Sequence, residues 1–368
     1  MEIRFPFRNL EPKFLSGLLD DPLLLIKVRP TGSHLLFDCG QLHHLAKRIL
    51  TRIETVFISH CHMDHLLGID LLIRHLHAAG KTVDLFGPPG LTAKIVHHFA
   101  GYDWNLAEEY WSNFRVHDIY PDQIKSSILR GPQQFQCEQL GSKNRQELTI
   151  YQTRHLQVEA QLCDHRVASL QFRINEQPAF LIDSEKLEAN NLIPGPWIKE
   201  LKRRFFQGDL EEAPLTIPTR SDGKTAERVV TKTQITELCQ KIGKAQQLAS
   251  IGYISDIGFT PNNRKIIERW LGNLELLVCE TTFLAADLQK ARNSFHLCTS
   301  DVNQLLAVLK PNWFLPMHLS KTYSKRCQEI YRELRPPPNS KILQIPAHTT
   351  ARPKRLDEFS WQYELHES

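Results

Sequence analysis

The sequence predicts an α/β chain folded as one large domain with a single inserted segment. Three observations carry that expectation. Strand-like and helix-like apolar patterns alternate through the first hundred residues. The alternation returns over residues 248–334. Between these stretches, residues 176–244 lose apolar density and gather basic side chains, as a segment projecting from a core would.

Taken in order, residues 23–28 and 35–38 read as strands joined by a Pro30-Thr31-Gly32 turn. Residues 42–50 read as a helix, and 55–59 as the next strand. Apolar residues at helical spacing predict a helix over 66–76, followed by a strand over 83–86. After Gly87-Pro88-Pro89-Gly90 a helix is expected over 93–99, and strand signals then dominate 114–174. The tail beyond Pro336-Pro337-Pro338 closes with a short strand-like run and a polar end. The chain shows no internal repeat and no low-complexity tract.

Composition narrows the class. Of 368 residues, 41% are hydrophobic and 23% charged, the balance of a soluble globular protein. No apolar run approaches the roughly 20 residues that span a bilayer, so no membrane partner is expected. The N-terminus has scattered charges and no apolar signal core. Eight cysteines without a CxxC pair read as reduced thiols, which predicts a cytoplasmic protein. A net charge of +4 is too small to argue for a nucleic-acid partner by itself.

The chemistry concentrates in Ile58-Ser59-His60-Cys61-His62-Met63-Asp64-His65-Leu66-Leu67-Gly68. Three histidines and one aspartate fall within six residues, directly after an apolar strand. Imidazole nitrogens and carboxylate oxygens suit zinc, with manganese and iron also accommodated. His60 and His62 are two apart and would point the same way on an extended loop. Asp64 and His65 are adjacent, would point to different sides, and could serve a second ion. A solvated histidine-rich turn is the competing reading.

This segment resembles the H-x-H-x-D-H signature of the metallo-β-lactamase fold superfamily. The resemblance implies a four-layer αββα sandwich with a dinuclear metal site at one rim of the sheets. It also implies later ligands in the order His, Asp, His. His165 in Cys163-Asp164-His165-Arg166 is the first of these, and His155 in Thr153-Arg154-His155 competes for the place. Asp256 in Ile254-Ser255-Asp256 would bridge two cations, unless it caps the helix after it. His318 follows the apolar run Trp313-Phe314-Leu315-Pro316-Met317. By resemblance, His60, His62 and His165 hold one metal, and Asp64, His65 and His318 hold the other. Asp38-Cys39-Gly40 resembles the family's strand-end Asp segment, which implies that Asp38 supports the metal loop by hydrogen bonds.

Three further segments resemble the ribonuclease Z branch. Leu192-Ile193-Pro194-Gly195-Pro196-Trp197 looks like the glycine-proline motif of its flexible RNA-binding arm, here inserted between His165 and Asp256. Gly195, Pro196, Lys199, Lys202, Arg203 and Arg204 would then contact RNA phosphates; an ordinary solvated charged helix is the plainer reading. Cys279-Glu280-Thr281-Thr282-Phe283 and His296-Leu297-Cys298 resemble that branch's catalytic glutamate and histidine segments. The resemblance covers about residues 34–325. It implies a zinc-dependent phosphodiesterase that removes tRNA 3′ extensions through a hydroxide activated by two Zn2+ ions. Asp64 would orient the water, and His296, oriented by Glu280, would assist the leaving oxygen. The expected partner is precursor tRNA, and the branch includes homodimers. Phe5-Pro6-Phe7-Arg8 stands where a glycine-rich turn is usual, and Leu297-Cys298 follows His296 in place of Ser-Thr. These departures keep a second reading open: a hydrolase of the same fold acting on another phosphodiester or ester.

Overall fold

The computed structural model describes residues 5–178, 180–207, 209–210, 213–221, 224–244, 246, 248–349, 356–358 and 361–362. Gly223 of the polar insertion and the polar end of the tail lie outside them. The described residues within 5–152, 156–176 and 249–362 form one compact unit, and those within 153–155 and 177–248 form another.

The first unit contains two eight-stranded sheets of matching design. One has the order β1 (Leu10–Phe14), β2 (Leu24–Val28), β3 (His34–Phe37), β4 (Ile53–Phe57), β5 (Thr82–Gly87), β6 (Asn113–Ile119), β7 (Gln123–Arg130) and β8 (Gln136–Asn144). Strands β3 to β6 are parallel and the flanking pairs antiparallel. The other begins with β9 (Thr149–Gln152), β10 (Leu156–Asp164) and β11 (Ala168–Glu176). It continues through β14 (Ser250–Ile254), β15 (Leu276–Glu280), β16 (Trp313–Met317), β17 (Lys341–Leu343) and β18 (Trp361–Gln362). Strands β14 to β17 are parallel.

The inner faces of both sheets share one apolar core. At its centre Phe37 and Phe57 stack at 4.7 Å, with Phe172 of the opposite sheet edge-on to both at 5.5 and 5.8 Å. The outer face of the first sheet is covered by α1 (Lys47–Leu50), α2 (Met63–Leu66), α3 (Ile69–Leu76) and α4 (Leu91–Ala100). Helices α8 (Pro261–Trp270), α9 (Leu288–Ser294), α10 (Thr299–Leu309) and α11 (Glu329–Glu333) accompany the second sheet. The first unit therefore forms the four-layer αββα sandwich that the resemblance implies.

Two helices differ from expectation. The helix expected over 42–50 contracts to α1, because Leu42 and Leu45 are drawn into the core and Ala46 is extended (φ −65°, ψ 143°). The helix expected over 66–76 breaks into α2 and α3. Gly68 lies against the Gly40 carbonyl, where a Cβ would come within 2.1 Å of the oxygen.

The second unit has its own apolar core, including Trp197, Leu201, Ile217 and Ile235. It holds α5 (Ser184–Ala189), α6 (Trp197–Gln207), the hairpin β12 (Leu215–Ser221) and β13 (Lys224–Val230), and α7 (Lys232–Ile242). No helix among the described residues is long and apolar enough to cross a membrane.

Candidate metal centre

Parallel strands deliver polar side chains to their carboxyl ends, where the next backbone turn leaves the sheet. Here β3 leads to Asp38, β4 leads to His60, β14 leads to Asp256, β15 ends in Glu280 and β16 leads to His318. The turn between β10 and β11 adds His165, and the segment between α9 and α10 adds His296. Four non-glycine residues here, Asp38, Arg166, Phe295 and His318, hold φ between 57° and 61°. Left-handed backbone is costly for such residues and persists where surroundings enforce it.

His60, His62 and His165 offer ligand atoms within 4.8 Å of one another, as do Asp64, His65 and His318. His60 Nε2 lies 3.0 Å from His62 Nδ1, as their spacing implies. Asp64 and His65 differ from expectation, since they occupy the short helix α2 and not an extended loop. They nevertheless face a common neighbour, His318, whose Nε2 is 3.0 Å from Asp64 Oδ2. Asp256 stands among both groups. Its carboxylate is 3.8 Å from His60 and His165, 3.3 Å from His65 and 3.2 Å from His318. The helix after it is capped by Thr260, so Asp256 is not the cap. His155 belongs to the second unit, where Arg154 Nε donates to its Nε2.

The electrostatics fit a cation. Asp256 is 1% exposed, and only histidines pair with it among the described residues. Burial would raise its pKa, but the charges of His318, His65 and His296 hold it well below the carboxylate range. His65 Nε2 and Asp256 Oδ1 are buried without a hydrogen-bond partner. Such atoms are rare in native interiors, and a bound cation would satisfy both. Burial drives the His60 pKa down to about 3, which leaves its ring neutral and able to coordinate. For Asp64, burial is outweighed by the His318 hydrogen bond and the His65 charge, and the group stays ionised. Imidazoles and carboxylates free of lysine are the donor set of zinc and its neighbours.

A supporting layer surrounds these groups. Fully buried Asp38 accepts from the Ser59 amide at 2.7 Å, His65 Nδ1 at 2.9 Å, the Tyr253 hydroxyl at 2.8 Å and Ser255 Oγ at 3.2 Å. This orients the His65 ring, as outer partners of metal-binding histidines do. His165 Nδ1 donates to the Phe295 carbonyl at 2.6 Å. Glu280 accepts from the Ile257 amide at 2.8 Å and faces His296 Nδ1 at 3.1 Å. Burial would lower the His296 pKa, but Glu280 and Asp256 raise it to about 9. Thr282 Oγ1 lies 3.3 Å from His296 and 3.2 Å from His318. Sequence reasoning missed Tyr253, Ser255 and Thr282. A tyrosine inside an apolar strand was the available signal, because a buried phenol needs a partner.

In the second unit, Gly195 and Pro196 precede α6, and Trp197 Nε1 donates to the Ile193 carbonyl at 2.8 Å. Lys199 and Arg203 are exposed and Lys202 is half-buried. Arg204 departs from the expectation of an RNA contact. It is 7% exposed, paired with Glu200 at 2.8 Å and bonded to the Ala213 carbonyl, so its guanidinium is used inside the unit. Arg203 also pairs with Glu200, at 2.8 Å.

The family described as Anti-Pycsar protein Apyc1 matches residues 21–193. The chain is 24% identical to a ribonuclease Z of Deinococcus radiodurans over 296 residues, 79% of this chain and 83% of that one. It is 27% identical to a ribonuclease Z of Microcystis aeruginosa over 296 residues, 78% and 76% of the two chains. Among solved structures, the long form RNase Z from yeast superposes with a TM-score of 0.51 at 11% identity. That match covers 96% of this chain and 43% of the yeast chain, and it shows a shared fold.

Proposed function

We propose that this chain is a ribonuclease Z-like member of the metallo-β-lactamase superfamily and acts as a zinc-dependent phosphodiesterase that trims the 3′ extension of precursor tRNA. One observation carries the reading: a buried carboxylate, Asp256, ringed by imidazoles, with His62 and His165 in one ligand group and Asp64 and His318 in another.

His60, His62 and His165 would hold one Zn2+, Asp64, His65 and His318 a second, and Asp256 would serve both. When bound, the metal pair would lower the pKa of water to about 7 and neutralise phosphoryl charge. Asp64, ionised and part-exposed, would orient the attacking water and accept its proton. His296 would protonate the leaving 3′ oxygen from Nε2, because Glu280 and Asp256 both face Nδ1. The Glu280 carboxylate beside Nδ1 favours the charged ring, as a general acid requires. The products would carry a 3′-hydroxyl and a 5′-phosphate. Gly195, Pro196, Lys199, Lys202 and Arg203 would contact the body of the RNA.

A second reading is hydrolysis of a smaller phosphodiester. It is favoured by the internal use of Arg204 and the pairing of Arg203 with Glu200, which engage two of the four basic side chains of α6. The test is cleavage of a 3′-extended precursor tRNA by zinc-loaded protein, beside a chromogenic phosphodiester, with Asp64→Ala as control. A single cut next to the discriminator base, absent in the variant, supports the tRNA reading. Turnover of the small ester alone supports the second. Deleting residues 188–232 should abolish tRNA cleavage and spare the small ester. Equal loss of both would count against an RNA-binding arm.

A further inference from the structure

We propose that Arg166 is a substrate-binding residue that grips a non-bridging oxygen of the phosphodiester at the histidine cluster. The proposal rests on the phosphodiester reading above and adds a residue to it.

Arg166 sits at the tip of the turn between β10 and β11, beside His165. Its backbone is fixed on both sides: its amide donates to Asp164 Oδ1 at 2.8 Å, and the His165 amide donates to the Val167 carbonyl at 3.0 Å. The turn holds Arg166 at a φ of 60°, which an arginine adopts only under constraint. The exposed guanidinium lies over the Phe295 ring, 5.0 Å from its centroid. Phe295 is itself immobilised, because its ring rests on Gly258, where a Cβ would meet it at 2.6 Å. The Phe295 carbonyl takes the His165 Nδ1 hydrogen bond. One residue thus orients a candidate ligand through its backbone and stations an arginine through its ring.

The neighbouring arginines are committed elsewhere. Arg264 pairs with Glu268 at 2.9 Å, and Arg292 makes a two-pronged pair with Asp301 at 2.6 and 2.7 Å. Among the described residues no carboxylate lies within ion-pair distance of the Arg166 guanidinium. A face-on contact with a ring satisfies the π-face of a guanidinium and leaves its in-plane N–H groups available. Those donors match the fork geometry of phosphate oxygens. An arginine held this way beside a phosphodiester-cleaving centre positions anionic substrate without neutralising a protein carboxylate.

The test is equilibrium binding of two fluorescent dinucleotides, one with a phosphorothioate linkage and one with an uncharged methylphosphonate linkage. Wild type, Arg166→Gln and Arg166→Lys are compared, all zinc-loaded and assayed for metal content. Wild type should prefer the charged linkage by about tenfold or more. Because bound zinc also favours the charged linkage, Arg166→Gln should weaken that preference about tenfold while binding the neutral ligand as wild type does, and Arg166→Lys should recover part of it. An undiminished preference in Arg166→Gln overturns the proposal. So does loss of metal from Arg166→Gln, which would mean that Arg166 acts only through His165. Absence of any preference in wild type overturns the phosphodiester reading itself.

Discussion

Tyr253→Phe removes one hydroxyl and little else, and its cost can be worked from the structure. The phenol is fully buried and donates to Asp38 Oδ2 at 2.8 Å. Burial and the Asp38 charge push its pKa well above the ordinary tyrosine value, so it remains a donor at any working pH. A hydrogen bond to a charged acceptor contributes about 1.5–3 kcal/mol. Asp38 keeps the Ser59 amide, His65 and Ser255 as donors, so the carboxylate is not orphaned and the lower end of that range applies. The ring contacts with Phe37 and Phe172 persist. The expected loss is about 1.5 kcal/mol, read as a lower urea midpoint at unchanged denaturant slope, with metal content unaltered. Ser255→Ala, which removes another donor to the same oxygen, should cost more in the Tyr253→Phe background than in wild type. A Tyr253→Phe loss below about 0.5 kcal/mol, or strict additivity of the two, would refute the view that Asp38 is held by a shared donor set.

Three further outcomes are expected. Gly68→Ala places a Cβ within 2.1 Å of the Gly40 carbonyl oxygen and should destabilise the metal loop by about 2 kcal/mol or more, with reduced zinc retention on dialysis. Asp84 is half-buried beside His117 and Arg115; burial would raise its pKa, but their hydrogen bonds and charges lower it overall. Its stabilisation is therefore present above the unfolded value of about 3.9 and fades as pH falls through the lower folded value. Asp84→Asn should be less stable than wild type at pH 7, with the gap closing below about pH 4 in urea titrations. Chelation should lower the thermal midpoint reversibly, because zinc at a hundredfold excess over its Kd adds about 2.7 kcal/mol to the folded state; an unchanged midpoint would show that no ion is held.

Much of the centre was legible because its chemistry sits where strands stop. The run from His60 to His65 follows an apolar strand, and Asp256, Glu280 and His318 each terminate one, so each polar residue contrasts with its context. The choice of His165 over His155 rests on the resemblance of the strand-like segment after His165, not on spacing. Both stand beside strand-like segments, and only tertiary structure places His165 against His60 and Asp256. The break at Gly68 depends on the carbonyl of Gly40, a contact without local sequence signature. Tyr253 and Ser255 read as ordinary strand residues until the opposing sheet brings Asp38 over them. Arg204 read as surface charge because a run of basic residues does not reveal which of them a neighbouring glutamate and carbonyl will take inward.

The spread of the candidate ligands from His60 to His318 bears on how the protein is made. On a ribosome adding about 5–20 residues per second, roughly ten to fifty seconds separate the appearance of the first histidines from that of the last. Over that interval the nascent chain carries His60, Cys61 and His62 with no opposing sheet to close around them. Any ion captured then would be held by a fragment of the eventual cage, exposed to exchange and to the nearby thiol. If the site holds a metal, its choice would accordingly be settled late, by whichever ion is abundant when the second sheet docks, and the cell's metal supply at that moment would become part of the protein's maturation.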